Sequence, residues 1–159
     1  MSKMNLTLEG DTHVVVTRRF DFGPDLVYRA HTDCSIIPKW LTGPDGWSMP
    51  VCECDNRPGG KIRYEWVDGA GNGFYLTGEI LEVEPSRRLV HIERMHLPDP
   101  TPDNHVETVF EADGSGTLMT MRMTLPDTAT REAMLATGMA DGMEASYVRL
   151  EQMAGQLVA

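Results

Sequence analysis

Alternation between apolar and polar positions marks most of this chain as β-structure. Residues 12–20, THVVVTRRF, are rich in β-branched types and predict a first strand. From residue 48 to 125, apolar runs alternate with stretches of Gly, Pro, Asn and Asp, the residue types that tight turns require. A longer loop is expected at 98–104. The runs predict consecutive antiparallel hairpins formed by 49–55, 61–67, 74–84, 88–97, 105–112 and 117–125.

Helical patterns occur in two parts of the chain. Two short helical pieces are expected at 24–33 and 34–41, where Pro24 suits a helix start and Pro38 marks a break. One long helix is predicted over 127–157, because apolar residues recur there every three or four positions. A sheet of this size must cover one face, and only this helix is long enough to do so. The pattern predicts an α+β fold.

Length and charge narrow the class of protein. The 159 residues suit a single domain, predicted here over 13–158 after an N-terminal extension, 1–12. The net charge of −10 disfavours nucleic acid and anionic membranes as partners. No segment approaches the roughly 20 apolar residues of a membrane span, and no signal peptide is visible. With three cysteines, an odd number, these features favour a reducing cytoplasm and free thiols.

Two cysteines one residue apart, Cys52 and Cys54, raise the question of a metal or redox site. On a strand they share one face. Structural zinc sites usually use cysteines separated by two to four residues together with a second pair, which the sequence does not supply. Cys34 and the five histidines are scattered along the chain. The favoured interpretation is that Cys52 and Cys54 are buried, reduced, metal-free core residues, with metal or redox chemistry as the alternative.

Methionines and aromatic residues are the candidates for a binding cavity between sheet and helix. Eleven methionines is a high number for this length, and unbranched thioethers adapt to varied apolar ligands. Core filling and cavity lining are equally compatible with this pattern. Trp40, near the loop at 41–46, is either at the cavity mouth or a hydrophobic plug. The predicted cavity residues are Trp40, Tyr64, Trp66, His91, Glu93, Met119, Met121, Met123, Met139 and Met143.

His91 and Glu93 lie on a strand whose two faces are both mixed. If Leu89 and Met95 point inward, the pair enters the cavity and can act as acid and base. If Val90 and Ile92 point inward, the pair faces solvent and is inert. Exposure or structural hydrogen bonding is the favoured interpretation.

Several stretches together resemble one known family, the activator-of-heat-shock-protein-ATPase homologues of the START-like (SRPBCC) superfamily. The resemblance extends over about residues 13–157 and rests on RRFDFGPDLVYRAHTD (18–33), KW (39–40), CECDNRPGGKIR (52–63), EVEPSRRLV (82–90) and GMADGMEASYVRLEQM (138–153). It implies the helix-grip fold, in which a bent antiparallel sheet wraps around a long C-terminal helix. The sequence departs from the family at Met143, where tryptophan is usual, and at 91–95, where aromatic residues are frequent. A relative's ligand is therefore not transferred.

Three functions follow from these observations. The first is binding of a hydrophobic small molecule in the cavity, with no cofactor, no metal and no membrane insertion. The second, implied by the family resemblance, is a co-chaperone that activates a heat-shock ATPase in a stress response; such activators use additional regions, so no large ATPase stimulation is expected. The third is a cyclase or hydrolase that uses His91, Glu93 or Tyr64. A homodimer and a chaperone partner are left open.

Overall fold

The protein folds as one eight-stranded antiparallel sheet with helices on one face. The computed structural model describes residues 3–97 and 99–157, so Pro98 of the predicted 98–104 loop and Val158 of the predicted domain lie outside the described residues. The strand order is β1-β2-β8-β7-β6-β5-β4-β3. The strands are β1 (Asn5–Glu9), β2 (His13–Phe20), β3 (Trp47–Cys54), β4 (Lys61–Asp68), β5 (Gly73–Glu84), β6 (Arg88–His96), β7 (Asn104–Asp113) and β8 (Gly116–Thr124).

The strands after β2 form the meander that the sequence predicts. Each neighbouring pair from β3 to β8 is antiparallel, and β8 then pairs with β2. The predicted N-terminal extension contains β1, which pairs with β2 at the sheet edge. Register shifts at Ser48/Val51 and at Ile80/Glu82 interrupt β3 and β5. Such bulges bend a strand, which helps the sheet curve around a helix.

Within residues 3–97 and 99–157, three helices and a 3₁₀ turn complete the fold. Helix α1 (Pro24–Thr32) begins at the proline that the sequence marks as a helix start, and the 3₁₀ turn covers Ile37–Lys39. The expectation of one continuous helix at 127–157 is wrong, because α2 (Thr128–Leu135) and α3 (Met139–Leu157) are separate. Gly138 between them has φ +80°, a left-handed conformation that ends a helix. Asp127 caps α2 by accepting a hydrogen bond from the Thr130 amide at 2.7 Å.

The core lies between the helices and one face of the sheet, here called the inner face. A larger cluster joins α1, the middle strands and α3, with Phe20, Ile37, Ile80 and Leu150 almost fully buried. A smaller cluster joins β2, β7 and β8 with side chains near the start of α3. This arrangement is the helix-grip architecture.

Candidate functional site

Five polar side chains lie near one another within this apolar interior. We call Tyr64, His91, Glu93, Asn104 and Tyr147 the inner polar cluster. His91 pairs with Ile80 and Val106, both about 1% exposed, so its side chain belongs to the inner face. Glu93, two residues further along β6, shares that face and pairs with Asn104 of β7. Of the favoured interpretation, exposure or structural hydrogen bonding, exposure to solvent is therefore wrong, while a hydrogen bond does join the two side chains.

A hydrogen bond of 2.9 Å joins His91 Nε2 to Glu93 Oε2. Asn104 Nδ2 donates to the other carboxylate oxygen, Glu93 Oε1, at 3.4 Å. The remaining polar atom of each neighbour, His91 Nδ1 and Asn104 Oδ1, is buried and has no hydrogen-bond partner within the described part of the chain. Glu93 is thus held on both oxygens, while its two partners each keep one unused polar atom.

The register places Glu93 near β4, the strand that carries Tyr64. Gly78 of β5 lies between Ile62 of β4 and Glu93 of β6 in the paired rows. A side chain at Gly78 would press on the Ile92 backbone, so glycine permits the close approach of β5 and β6. The missing side chain also leaves the inner face open between Glu93 and β4.

Burial and negative charge act on the two tyrosines of the cluster. Burial raises the pKa of Tyr64 far above its usual range, and the charges of Cys54 and Glu93 raise it further. Burial likewise raises the pKa of Tyr147, with Arg18 opposing and Glu93 adding to the effect. Both phenols are therefore neutral hydroxyls at physiological pH, available as hydrogen-bond groups but not as nucleophiles.

A neutral histidine, His31, packs beside the cluster in an aromatic shell. Its ring centroid lies 4.9 Å from that of Trp40, 5.5 Å from Phe110 and 6.3 Å from Tyr147. Nδ1 lies 2.7 Å from the Val27 carbonyl oxygen, so the Nδ1–H donates. Nε2 is buried without a partner in residues 3–97 and 99–157. Burial lowers the pKa of His31 to about 4, although the bond to Val27 opposes the shift.

A buried arginine ties β2 to α3 beneath this shell. The Arg18 side chain is fully buried; its Nε donates to Glu144 at 3.3 Å and its Nη1 to Glu151 at 3.2 Å. The guanidinium carbon lies 5.0 Å from the centre of the Phe20 ring. Two carboxylates surround one guanidinium and fix α3 on the sheet, while the remaining nitrogen, Nη2, is buried without a hydrogen-bond partner among the described residues.

The predicted tryptophans hold the short helices on the sheet. Trp40 is 1% exposed, and its Nε1–H donates to the Ala30 carbonyl oxygen at 3.0 Å. Trp66 donates to the Leu41 carbonyl oxygen at 2.8 Å and meets Tyr64 edge-on, with ring centroids 5.9 Å apart. The burial of Trp40 agrees with the plug alternative, and its place in a ligand cavity stays a prediction.

The predicted methionines occupy the inner face of β8 and the facing part of α3. Met119 and Met123 are 0% and 3% exposed, whereas Met121 is partly buried. Met121 packs against the smaller core cluster, as do Met139 and Met143 from the helix. The strand phase inferred from the sequence is the one that the structure has. Whether these residues line a ligand site stays a prediction.

Two surface clefts lie elsewhere. One, of about 320 Å³, follows the outer face of the sheet and is lined by charged residues including Lys61, Arg63 and Arg94. The other, of about 340 Å³, lies on the solvent side of α3 beside Asp45 and Arg149. Neither cleft is lined by the inner polar cluster.

The cysteines differ from the sequence prediction. Cys52 is not reduced but forms a disulfide with Cys34, with the two Cα atoms 5.6 Å apart. Cys54 is free and half-buried, and its sulfur lies 3.0 Å from that of Cys34. The segment after α1 packs against the edge strand β3, so cysteines that are distant in sequence become neighbours. Across the described ranges, no group of three or more His, Cys, Asp or Glu side chains is arranged to hold a metal ion.

Sequence reasoning missed four residues of this region: His31, Asn104, Tyr147 and Cys34 as a partner of β3. Asn104 lies at the first position of β7, where it looked like part of a polar loop. Tyr147 belongs to the predicted apolar stripe of the last helix, and its contact with His31 depends on tertiary packing. Only the i, i+4 spacing of Val27 and His31 on α1 could have indicated that the histidine shares the helix's buried face.

Comparisons with known proteins agree with this architecture. A protein from Rhodobacter sphaeroides is 27% identical, with a TM-score of 0.91 over 97% of this chain and 99% of that chain. A Nitrosomonas europaea protein is 24% identical, with a TM-score of 0.81 over 94% and 97% of the two chains. A Mycobacterium smegmatis protein shares the fold at 18% identity, with a TM-score of 0.80 over 94% and 96%.

No curated protein matches the chain. None of the described helices is both long and apolar enough to cross a membrane. The model of the family described as "Activator of Hsp90 ATPase homolog 1-like protein" matches residues 21–155. The chain therefore belongs to this family, within the START-like (SRPBCC) superfamily.

Proposed function

We propose that this protein binds a small apolar molecule that carries a hydrogen-bond donor, between the inner face of the sheet and α3. The observation that supports this most strongly is the pair of unpartnered polar atoms, His91 Nδ1 and Asn104 Oδ1, in an apolar interior. A buried polar atom without a partner costs about 1–3 kcal/mol, so such atoms call for a functional explanation.

The hydrogen-bond pattern defines what the ligand would offer. The Glu93 carboxylate can only accept, so His91 donates from Nε2, and the Nε2–H tautomer that we propose for His91 keeps a lone pair at Nδ1. Asn104 donates to Glu93 through Nδ2, which leaves Oδ1 as an acceptor. Both unused atoms are therefore acceptors. We assign the ligand's hydroxyl or amine to His91 Nδ1, and a carboxylate on the ligand would be repelled by Glu93.

The surroundings favour an apolar body for the same ligand. Met95 follows Glu93 on the inner face of β6, and Met119 and Met143 belong to the same core cluster. Methionine side chains are unbranched and adopt many shapes at low cost, so they can make room where branched residues would not. The methionine-rich core thus supports adaptable binding of an uncharged, hydrophobic molecule.

Thermal melts with a matched pair of probes test the proposal. Naphthalene and 2-naphthol have the same apolar rings, but only 2-naphthol donates a hydrogen bond. One added hydrogen bond contributes about 1 kcal/mol, so 2-naphthol should bind about fivefold more tightly. Either probe at a hundredfold excess over its Kd should stabilise the fold by about 2.7 kcal/mol.

Two histidine variants test whether His91 accepts the hydrogen bond from the hydroxyl of 2-naphthol. In His91→Leu the preference for 2-naphthol should disappear, because the acceptor Nδ1 is lost. His105→Leu is the matched control, since His105 is exposed on the neighbouring strand and should leave the preference intact. Equal binding of the two probes by the wild type, or an unchanged preference in His91→Leu, would refute the proposed site.

An enzymatic role is the second candidate, and the inward His91–Glu93 pair is the observation that favours it. A histidine hydrogen-bonded to a carboxylate is a general base whose orientation is fixed. The neutral tyrosines beside it could donate hydrogen bonds to a substrate. Binding of a donor-bearing molecule at Nδ1 is common to both roles, so catalysis would be an extension of the binding function.

A further inference from the structure

The three cysteines lie close together at the edge of the sheet, and none of them takes part in the hydrogen bonds of the inner polar cluster. Cys34 lies in the segment between α1 and the 3₁₀ turn, while Cys52 and Cys54 end the edge strand β3. Cys34 is bonded to Cys52, and the free Cys54 sulfur lies 3.0 Å from the Cys34 sulfur. A thiol this close to a disulfide sulfur is already at the distance from which it can attack.

We propose that Cys34, Cys52 and Cys54 form a thiol–disulfide exchange site in which Cys34 is the shared partner of the two strand cysteines. The Cys54 thiolate attacks the Cys34 sulfur, and a Cys34–Cys54 bond forms as the Cys34–Cys52 bond breaks. The electron pair passes to the Cys52 sulfur, which takes up a proton from solvent in place of the one that Cys54 released. One disulfide and one thiol are present before and after, so no oxidant or reductant is consumed.

The surroundings of Cys54 control the rate of this step. Its thiol donates to the Thr32 carbonyl oxygen at 3.2 Å, and the Asn56 amide lies 3.9 Å from its sulfur. Burial raises the pKa of the Cys54 thiol, which the Asn56 hydrogen bond partly opposes. The thiolate is therefore scarce at neutral pH, and exchange should accelerate as pH rises.

Exchange would move the free thiol from the sheet edge toward the interior. Cys52 pairs with Tyr64 across β3 and β4 and packs against the larger core cluster, whereas Cys54 is followed by the exposed residues 55–59. In one state the disulfide joins Cys34 to Cys52. In the other state it joins Cys34 to Cys54, two residues further along β3. Exchange would thereby place the free thiol at Cys52, the residue that pairs with Tyr64.

The first experiment follows the free thiol in the oxidised wild type. Samples incubated at pH 7 and at pH 8 are quenched in acid, denatured, and labelled with N-ethylmaleimide at pH 6, where exchange is slow. Proteolysis after Glu53 separates Cys52 from Cys54 for mass spectrometry. The label at Cys52 should rise to a plateau, about tenfold faster at pH 8 than at pH 7. A label at Cys52 that never exceeds that of the unincubated sample would overturn the proposal.

The second experiment tests Cys34 as the shared partner. Cys52→Ser should form the Cys34–Cys54 disulfide in oxidised glutathione, and Cys54→Ser should form only the Cys34–Cys52 disulfide. Circular dichroism verifies that both variants are folded. A folded Cys52→Ser protein that keeps two free thiols, under conditions where Cys54→Ser oxidises fully, would also overturn the proposal.

Discussion

Replacement of His31 by phenylalanine should remove a defined part of the protein's pH dependence. The folded state holds His31 neutral, with a pKa of about 4 against an ordinary value of 6.5. Below pH 6.5 the unfolded chain takes up a proton at this position and the folded protein does not. The unfolded state therefore binds more protons, and stability falls as the pH drops from 6.5 towards 4.

The size of the effect follows from the two pKa values. Each pH unit between them costs about 1.4 kcal/mol, so His31 should lower the free energy of unfolding by about 2 kcal/mol between pH 7 and pH 5. Below pH 4 no further loss comes from this residue. The phenylalanine ring fits the aromatic shell but loses the hydrogen bond to Val27, which is a cost that does not depend on pH.

Urea unfolding of both proteins at a series of pH values measures the effect, with the disulfide kept oxidised throughout. The other four histidines are present in both proteins, so the difference between wild type and His31→Phe isolates His31. This difference should change by about 2 kcal/mol from pH 7 to pH 5 in favour of the variant. A difference that stays constant over that range would refute the claim that His31 is buried in its neutral form.

Further substitutions test the strand phase and two backbone positions. Met121→Glu should lower the free energy of unfolding by about 3 kcal/mol and abolish probe binding. Thr120→Glu, on the outer face, should lower the free energy of unfolding in urea by about 0.5 kcal/mol or less. Equal losses in the two variants would show that the strand phase is wrong. Gly78→Ala should cost about 2 kcal/mol, because its methyl group would meet the Ile92 carbonyl oxygen; an unchanged unfolding midpoint would contradict this. Ser86→Gly should stabilise the fold by up to about 1 kcal/mol, since Ser86 has φ +65°, and a lower melting temperature would count against that reasoning.

Strand positions could be predicted from the sequence because turn residues and alternation are local signals. Each of the six predicted runs after residue 48 corresponds to a strand with ends within a few residues. The face of β8 was also predictable, since methionines alternate with threonine and arginine. The start of α2 was predictable because Asp127 follows Pro126 and precedes an apolar periodicity.

The phase of β6 could not be predicted, and the reason is physical. Next to the register shift at Ile80/Glu82 on the neighbouring strand, both Leu89 and Val90 are buried. The alternation of apolar and polar residues therefore does not indicate which face of β6 points inward. The break at Gly138 was equally hidden, because an isolated glycine is compatible with a helix interior at a cost of about 1 kcal/mol. Its positive φ follows from how α2 and α3 pack.

The cysteine pairing depends on contacts between distant parts of the chain. Nothing within β3 indicates that the segment after α1 packs on it, and Cys34 is 18 residues from Cys52. The same applies to the inner polar cluster, whose members come from three strands and a helix. Local patterns placed Tyr64 on an inward face, but only the folded sheet brings Glu93 and Asn104 beside it.

NMR titration of the ¹⁵N-labelled protein with 2-naphthol measures whether a donor-bearing apolar molecule binds at the inner polar cluster. We expect the ring nitrogen Nδ1 of His91 and the side-chain amide of Asn104 to shift together and to saturate with one binding constant, while naphthalene leaves Nδ1 unchanged. Saturable shifts confined to Lys61, Arg63 and Arg94 in the outer cleft, with His91 and Asn104 unperturbed, would contradict this expectation.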